Sequence, residues 1–242
     1  MGNNTTAVVK ARTTTTAMTT RATGALLLLL LARPQHYCTR ADVTEKATKI
    51  SFRESVKLPG GGASTLMGTG ARVKKIGPAG VKVYAVGLYV EEKGAASDLE
   101  EHKGEDGESL AKNEGFFTRV AKSKFEKTMV LKMAREVGTE KMVSALAESV
   151  KPRMSGSKKP LDSFQDMLLK AVGKEGAAKK GMQFGFVCKP GALCVSINGK
   201  DAGTIKSGPL SSAMVDVYLG KKAVSPGARK AFASGVADLL GR

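Results

Sequence analysis

The chain has 242 residues, of which 42% are apolar and only 5% aromatic, with no tryptophan. This length and composition allow one sizeable core, filled mainly by Leu, Val, Ala and Met. The net charge of +17 at pH 7 favours anionic partners. The lysines are scattered, however, and no basic stripe with interleaved aromatic residues is present, so the sequence predicts no nucleic-acid binding.

Residues 1–50 have the composition of a targeting segment. The first forty residues contain five basic residues and no acidic one, which is typical of an organelle transit peptide. The apolar run at 25–32 spans only about 12 Å as a helix, too short for a stable membrane span, and resembles the apolar part of a secretory signal. Together these features predict a plastid address, with the secretory pathway or the mitochondrion as alternatives. We expect the folded domain at 51–242.

The first clear predicted element is a hairpin, with arms at 72–76 and 81–90 and a Gly-Pro-Ala-Gly turn between them. Residues 81–90 (VKVYAVGLYV) are apolar on both alternating faces, which indicates a strand covered on both sides. The acid-rich stretch 91–110 is interpreted as a surface loop that leads into a helix at 108–122.

The remainder of the chain alternates between strand and helix patterns. We predict a strand at 125–134, helices at 139–151 and 160–172, a hairpin at 183–198, a short strand at 203–206, and closing helices at 210–219 and from Ser225–Pro226 onward. This order predicts an α+β fold, in which an antiparallel β-sheet is covered on one face by a layer of helices.

The cysteines and histidines carry little chemistry. Cys188 and Cys194 flank the turn at Pro190, so they either face each other across the hairpin, where a disulfide would fit, or remain two separate thiols. His36 and His102 lie in polar segments without ligand spacing, and no phosphate-binding or dinucleotide motif is present. The sequence therefore predicts no metal and no cofactor.

Arg72 and Tyr84 form the most informative pair. If an odd number of residues closes the first hairpin, they lie directly opposite each other on one face; with an even number they lie on opposite faces. Opposite placement would put a guanidinium and a phenol at the end of an apolar layer, where a carboxylate ligand would supply the missing counter-charge. The alternative is that Arg72 points to solvent and Tyr84 fills core.

Three ordered segments resemble the chalcone-isomerase-like family. They are VKVYAVGLYV at 81–90, FEKTMVLKMAREVG at 125–138, and GTIKSGPLSSAMVDVYLGKKAVSPGARKAF at 203–232, in which LG-x-x-x-VSP is the most specific piece. The resemblance implies the open-faced β-sandwich of that family. It also implies one of three roles: an isomerase that closes chalcones to flavanones, a fatty-acid-binding protein, or a non-catalytic helper of another enzyme.

Matching the family's functional positions one at a time separates these roles. The family's arginine matches Arg72, and its threonine on the next strand is replaced by Tyr84, as in the fatty-acid-binding branch. The positions of its catalytic tyrosine, its asparagine and a further hydroxyl fall on Lys141, on Glu148 and near Gly208. The resemblance therefore implies a protein without these catalytic groups.

The expected function is a non-catalytic fatty-acid-binding protein. Arg72 and Tyr84 hold the ligand carboxylate, and Val83, Ala85 and Val86 complete the ligand-binding set. No catalytic residue is assigned, and the resemblance favours a protein without enzymatic activity but does not exclude an enzyme. The alternative is an intramolecular lyase of the chalcone-isomerase type, acting on an enone or flavonoid-like substrate.

Overall fold

A computed structural model of the protein describes residues 42–76, 79–173 and 175–242. The strands are β1 (Val43–Thr44), β2 (Ser51–Phe52), β3 (Ser55–Lys57), β4 (Ala63–Ile76), β5 (Ala79–Val90), β6 (Lys127–Met133), β7 (Val137–Gly138), β8 (Ala177–Ala178), β9 (Gln183–Lys189), β10 (Ala192–Ile197) and β11 (Lys200–Ile205). The helices are α1 (Glu92–Asp98), α2 (Gly107–Lys112), α3 (Glu114–Lys122), α4 (Thr139–Val150), α5 (Lys159–Gly173), α6 (Gly208–Leu219) and α7 (Pro226–Leu240). Two short 3-10 turns lie at Glu100–His102 and Lys151–Arg153.

Seven strands form one antiparallel sheet in the order β11-β10-β9-β6-β5-β4-β3. The main core lies between one face of this sheet and the helices, and on β5 it takes Val86 and Leu88. On the other face, Ala85 and Tyr89 of β5 pack with Phe52 and other residues of the segment around β2 and β3. The predicted α+β fold is confirmed, and β5 is apolar on both faces because both faces are covered.

The folded part of the chain begins before residue 51. Val43 pairs with Phe52 in the β1–β2 hairpin, and the Glu45 carboxylate accepts the Ala47 and Thr48 amide N–H groups at 2.9 and 2.7 Å. Residues 43–50 therefore belong to the folded domain, while the predicted targeting features at 1–41 lie outside the described residues. Among the described helices, none is long and apolar enough to cross a bilayer.

Strand β4 extends nine residues further toward the N-terminus than the predicted arm. Gly68 and Gly70 weaken the strand pattern in the sequence, but helix α7 packs directly on them. A Cβ atom at Gly70 would collide with the backbone of Ala228, and one at Gly235 of α7 would collide with the carbonyl of Met67. Gly68 and Gly70 therefore weaken the strand pattern in the sequence for the same reason that they let α7 pack closely: they have no side chain.

The helical region after β5 differs from its prediction in two places. The stretch interpreted as a loop contains α1, whose N-cap Glu91 accepts the Lys93 and Gly94 amides. The helix predicted at 108–122 is two helices, because Asn113 ends α2 and caps α3 by accepting the Phe116 N–H at 3.1 Å. In both places a side chain that caps a helix end decides the boundary.

The two hairpin cysteines do not face each other. Cys188 pairs across the ladder with Leu193, and Cys194 pairs with Val187. Cys188 lies in the core between sheet and helices, whereas Cys194 lies on the opposite face of the sheet. Both thiols are free, so the disulfide hypothesis is wrong and the hypothesis of two separate thiols is confirmed.

Two glycines of α7 give a matched test of the α7–β4 contact. Gly235→Ala should lower the free energy of unfolding by about 1–3 kcal/mol, because the methyl group forces helix and strand apart. Gly227→Ala, on the same helix with open space around it, should leave stability unchanged or slightly raised. Urea unfolding of both variants measures this; equal stability of the two would contradict the close contact.

Lys127 generates a second prediction, because it is a buried lysine at the start of β6. Its ammonium donates to the Ser123 carbonyl and lies 4.1 Å from the centre of the Phe125 ring. The residue as a whole is only 4% exposed. Burial lowers its pKa to about 8. The folded state therefore gives up this proton more readily than the unfolded chain.

Burying the charged ammonium lowers the free energy of unfolding. This cost is full below about pH 8, where both states are protonated, and disappears above the ordinary lysine pKa, where both are neutral. The stability of the wild type minus that of Lys127→Met should accordingly rise by about 3 kcal/mol from pH 8 to 10.5. Urea unfolding across that range measures the difference. A difference that stays flat or falls with pH would contradict the buried ammonium.

Candidate ligand-binding cleft

The end of the β4–β5 hairpin brings Arg72 and Tyr84 together. The ladder pairs Ile76 with Ala79, so two residues separate the arms, an even number. The register then shifts by one residue between Val73, which pairs with Lys82, and Arg72, which pairs with Tyr84. Val83 is the extra residue. A β-bulge of this kind re-aims side chains, and it supplies the odd residue that the opposite placement requires.

Tyr84 is buried and shares a hydrogen bond with Tyr218. The two phenol oxygens are 3.1 Å apart, and Tyr218 lies near the end of α6. Burial raises the pKa of both phenols, and the neighbouring Arg72 charge opposes the rise. Both hydroxyls therefore keep their protons at neutral pH and act as hydrogen-bond donors as well as acceptors.

Arg72 is half-buried and held by the segment between α6 and α7. Its Nη1 donates to the Val224 carbonyl at 3.0 Å, and the next residue, Ser225, donates its hydroxyl to the Ala71 carbonyl at 2.9 Å. In the part of the chain that the structure describes, no carboxylate pairs with Arg72. Four of its five N–H donors thus have no protein acceptor there.

A cleft of about 660 Å³ opens beside this pair. Its walls are the end of the hairpin, the segment around β7, and one side of α4. The lining residues are Arg72, Lys74, Val81, Val83, Tyr84, Arg135, Glu136, Val137, Gly138, Lys141, Met142, Ala145, Leu146, Glu148 and Ser149. Four are basic and two acidic, so the lining carries net positive charge, and it also includes apolar side chains such as Val83, Met142 and Leu146. This combination suits an anion with an apolar body.

The predicted ligand-binding residues divide into two groups. Arg72, Val83 and Tyr84 line the cleft. Ala85 lies on the opposite face of the sheet, in the cluster around Phe52, and Val86 is fully buried in the core between sheet and helices. The cleft is therefore formed at the bulge. Ala85 does not line it because alternation turns its side chain to the other face of the sheet, and Val86 does not line it because it lies further along β5 in the packed core.

The positions matched to the family's catalytic groups are also placed by the structure. Lys141 and Glu148 both line the cleft from α4, with exposed side chains. Gly208 begins α6 beside Gly191 and does not line the cleft. Sequence reasoning missed Tyr218, although a tyrosine in a mostly apolar helix signals a buried hydroxyl that needs a partner.

The comparisons with known proteins decide the family. The family model for chalcone-flavanone isomerase matches residues 47–239. The chain belongs to the chalcone-flavanone isomerase family.

Several curated members of the chalcone-flavanone isomerase family are distant relatives. Chalcone-flavanone isomerase from Gentiana triflora is 29% identical over 212 residues, which is 83% of this chain and 95% of that protein. Chalcone-flavanone isomerase 1 from Fragaria ananassa is 28% identical over 207 residues, covering 79% and 85% of the two chains.

A solved structure shows the same fold. The crystal structure of a fatty-acid binding protein from Arabidopsis thaliana superposes with a TM-score of 0.71 at 24% identity, covering 83% of this chain and 99% of that one. This chain therefore shares the sheet and helical layer of that protein.

The tyrosine pair is testable by a double-mutant cycle. Tyr218→Phe should lower the free energy of unfolding by about 1–3 kcal/mol, because it leaves the buried Tyr84 hydroxyl unpaired. The double variant Tyr84→Phe/Tyr218→Phe should lose less than the sum of the two single changes. Urea unfolding of the three variants measures this, and strict additivity would show that the hydroxyls do not interact.

Proposed function

We propose that this protein is a non-catalytic fatty-acid-binding member of the family, which holds the ligand carboxylate with Arg72 and Tyr84. The observation that carries the proposal is a half-buried guanidinium without a carboxylate partner among the described residues, beside a buried tyrosine at the wall of a cleft. A carboxylate accepts two parallel N–H bonds from an arginine. It therefore supplies the counter-charge that the guanidinium lacks.

Tyr218 has a part in this arrangement. If Tyr218 donates to the Tyr84 oxygen, the proton of Tyr84 is free for the ligand, and the 3.1 Å contact fits that direction as well as the reverse. A carboxylate is an acceptor only and sets the direction of the chain of hydroxyls. Tyr218 then donates to the Tyr84 oxygen, and Tyr84 donates to the ligand carboxylate.

The apolar part of the cleft supports an acyl chain. Val83, Met142 and Leu146 line it, and about ten buried methylenes contribute roughly 8 kcal/mol before the costs of binding. Arg72 and Tyr84 then fix the orientation of the ligand more than they determine its affinity. The structurally similar protein from Arabidopsis thaliana is a fatty-acid binding protein, which agrees with this ligand class.

The second candidate is an isomerase of enone substrates. The curated relatives are described as chalcone-flavanone isomerases, and Arg72, which matches the family's arginine, lines the cleft. Against it stand Lys141 and Glu148, which occupy the cleft wall where the resemblance expects a tyrosine and an asparagine. Loss of chalcone absorbance faster than the spontaneous rate, abolished by Arg72→Ala, would favour the isomerase over the binding protein.

The plastid address expected for residues 1–50 is part of the same proposal. A fluorescent fusion to that segment should reach a plastid. Delivery of the fusion to the secretory pathway or to the mitochondrion would identify one of the alternatives instead.

Arg72→Ala gives the central prediction of this proposal. The variant should bind laurate and palmitate roughly tenfold more weakly or worse, since it loses charge-assisted hydrogen bonds. Lys74→Ala is the matched control, because Lys74 lies on the same strand and lines the same cleft but is exposed. Calorimetric titration of both variants measures the affinities.

Two results would contradict the proposal. One is an equal loss in both variants, which would mean that only net charge attracts the ligand. The other is no laurate or palmitate affinity in the wild type, together with no lipid recovered from the denatured protein by mass spectrometry.

A further inference from the structure

A second cavity, of about 450 Å³, lies between the end of α3, the start of β6, the β9–β10 turn and α6. It shares no lining residue with the ligand-binding cleft. Four of its lining residues are lysines, namely Lys122, Lys124, Lys127 and Lys189, and three are serines. None of the described residues that line it is acidic. The cavity is therefore positive. Two of the serine hydroxyls already donate to backbone carbonyls, Ser123 to Arg119 and Ser211 to Lys189, so the lysines are its main donors.

Lys127 is the buried lysine of this set. Its ammonium has three N–H donors, and in the described ranges its hydrogen-bond acceptor is the Ser123 carbonyl. No described carboxylate lies within ion-pair distance of it. A buried ammonium without a counter-charge is costly, and an anion in the cavity would supply that charge.

Two carboxylates near the cavity reduce its charge. Glu126 lies 3.6 Å from the Lys189 ammonium, and Asp98 accepts the Lys124 amide N–H at 3.2 Å and acts on Lys127 through its charge. Even when both are counted, the four lysines leave two positive charges in excess. The excess matches the charge of one phosphate group near neutral pH.

We propose that this cavity binds a phosphate group, either as free phosphate or as the head of a phosphate ester. Lysine ammonium groups are common phosphate ligands, and the exposed Ser212 adds a hydroxyl donor. Phe125 and Val215 form an apolar part of the lining, which suits the carbon side of an ester. The site shares no lining residue with the cleft, so phosphate and fatty acid would not compete for the same side chains.

Calorimetric titration of the full chain with inorganic phosphate and with dihexanoyl phosphatidic acid tests the site at constant ionic strength against chloride. Lys189→Met and Lys127→Met should each weaken binding roughly tenfold. Lys170→Met removes the same charge from an exposed position of α5 outside the cavity and should bind like the wild type. Lys124→Met, at an exposed lining position, tests the same site should Lys127→Met fail to fold.

The pattern of results separates the sources of the phosphate. Comparable binding of both probes would support free phosphate, and binding of the lipid alone would support an ester. Failure of both probes to bind better than chloride would overturn the proposal, as would an equal loss in Lys170→Met. Laurate affinity measured in Lys189→Met should equal that of the wild type, whichever way the phosphate result falls.

Discussion

Two hydrogen bonds join the start of α7 to the end of the β4–β5 hairpin, and the candidate site depends on them. The Val224 carbonyl accepts from Arg72, and the Ser225 hydroxyl donates to the Ala71 carbonyl. Both come from the VSP segment, which is the most specific piece of the family resemblance. A segment that reads as a helix start in the sequence therefore also fixes the guanidinium beside the cleft.

The same contact explains why β4 and α7 are rich in small residues where they meet. Gly68, Gly70 and Gly235 let the helix approach the strand at backbone distance. This close approach brings Val224 and Ser225 to the hairpin, and the bulge at Val83 turns Arg72 and Tyr84 to the same side. The geometry of the site therefore depends on two features of the β4–β5 pair: its close packing against α7 and its bulge.

The sequence predicts the covered strand that carries the site. It does not predict the bulge or the contact with Tyr218, for physical reasons that differ between the two. The two-faced apolar pattern of 81–90 predicts a covered strand. The even, two-residue turn alone would put Arg72 and Tyr84 on opposite faces, so their pairing depends on the bulge at Val83. The bulge itself left no signal, because Val83 is an ordinary strand residue. Alternation does not show where along a strand a cleft ends, so it cannot exclude Val86, and Ala85 is on the other face of the sheet from Tyr84. Tyr218 was missed because its partner lies 134 residues away.

The proposed function requires the guanidinium of Arg72 to bind a carboxylate in the cleft beside Tyr84. A crystal structure of the protein with laurate would show whether it does. We expect the carboxylate within hydrogen-bond distance of the Arg72 guanidinium and the Tyr84 hydroxyl, with the acyl chain against Met142 and Leu146. A carboxylate bound instead by Arg135 or Lys141, with Arg72 untouched, would contradict it.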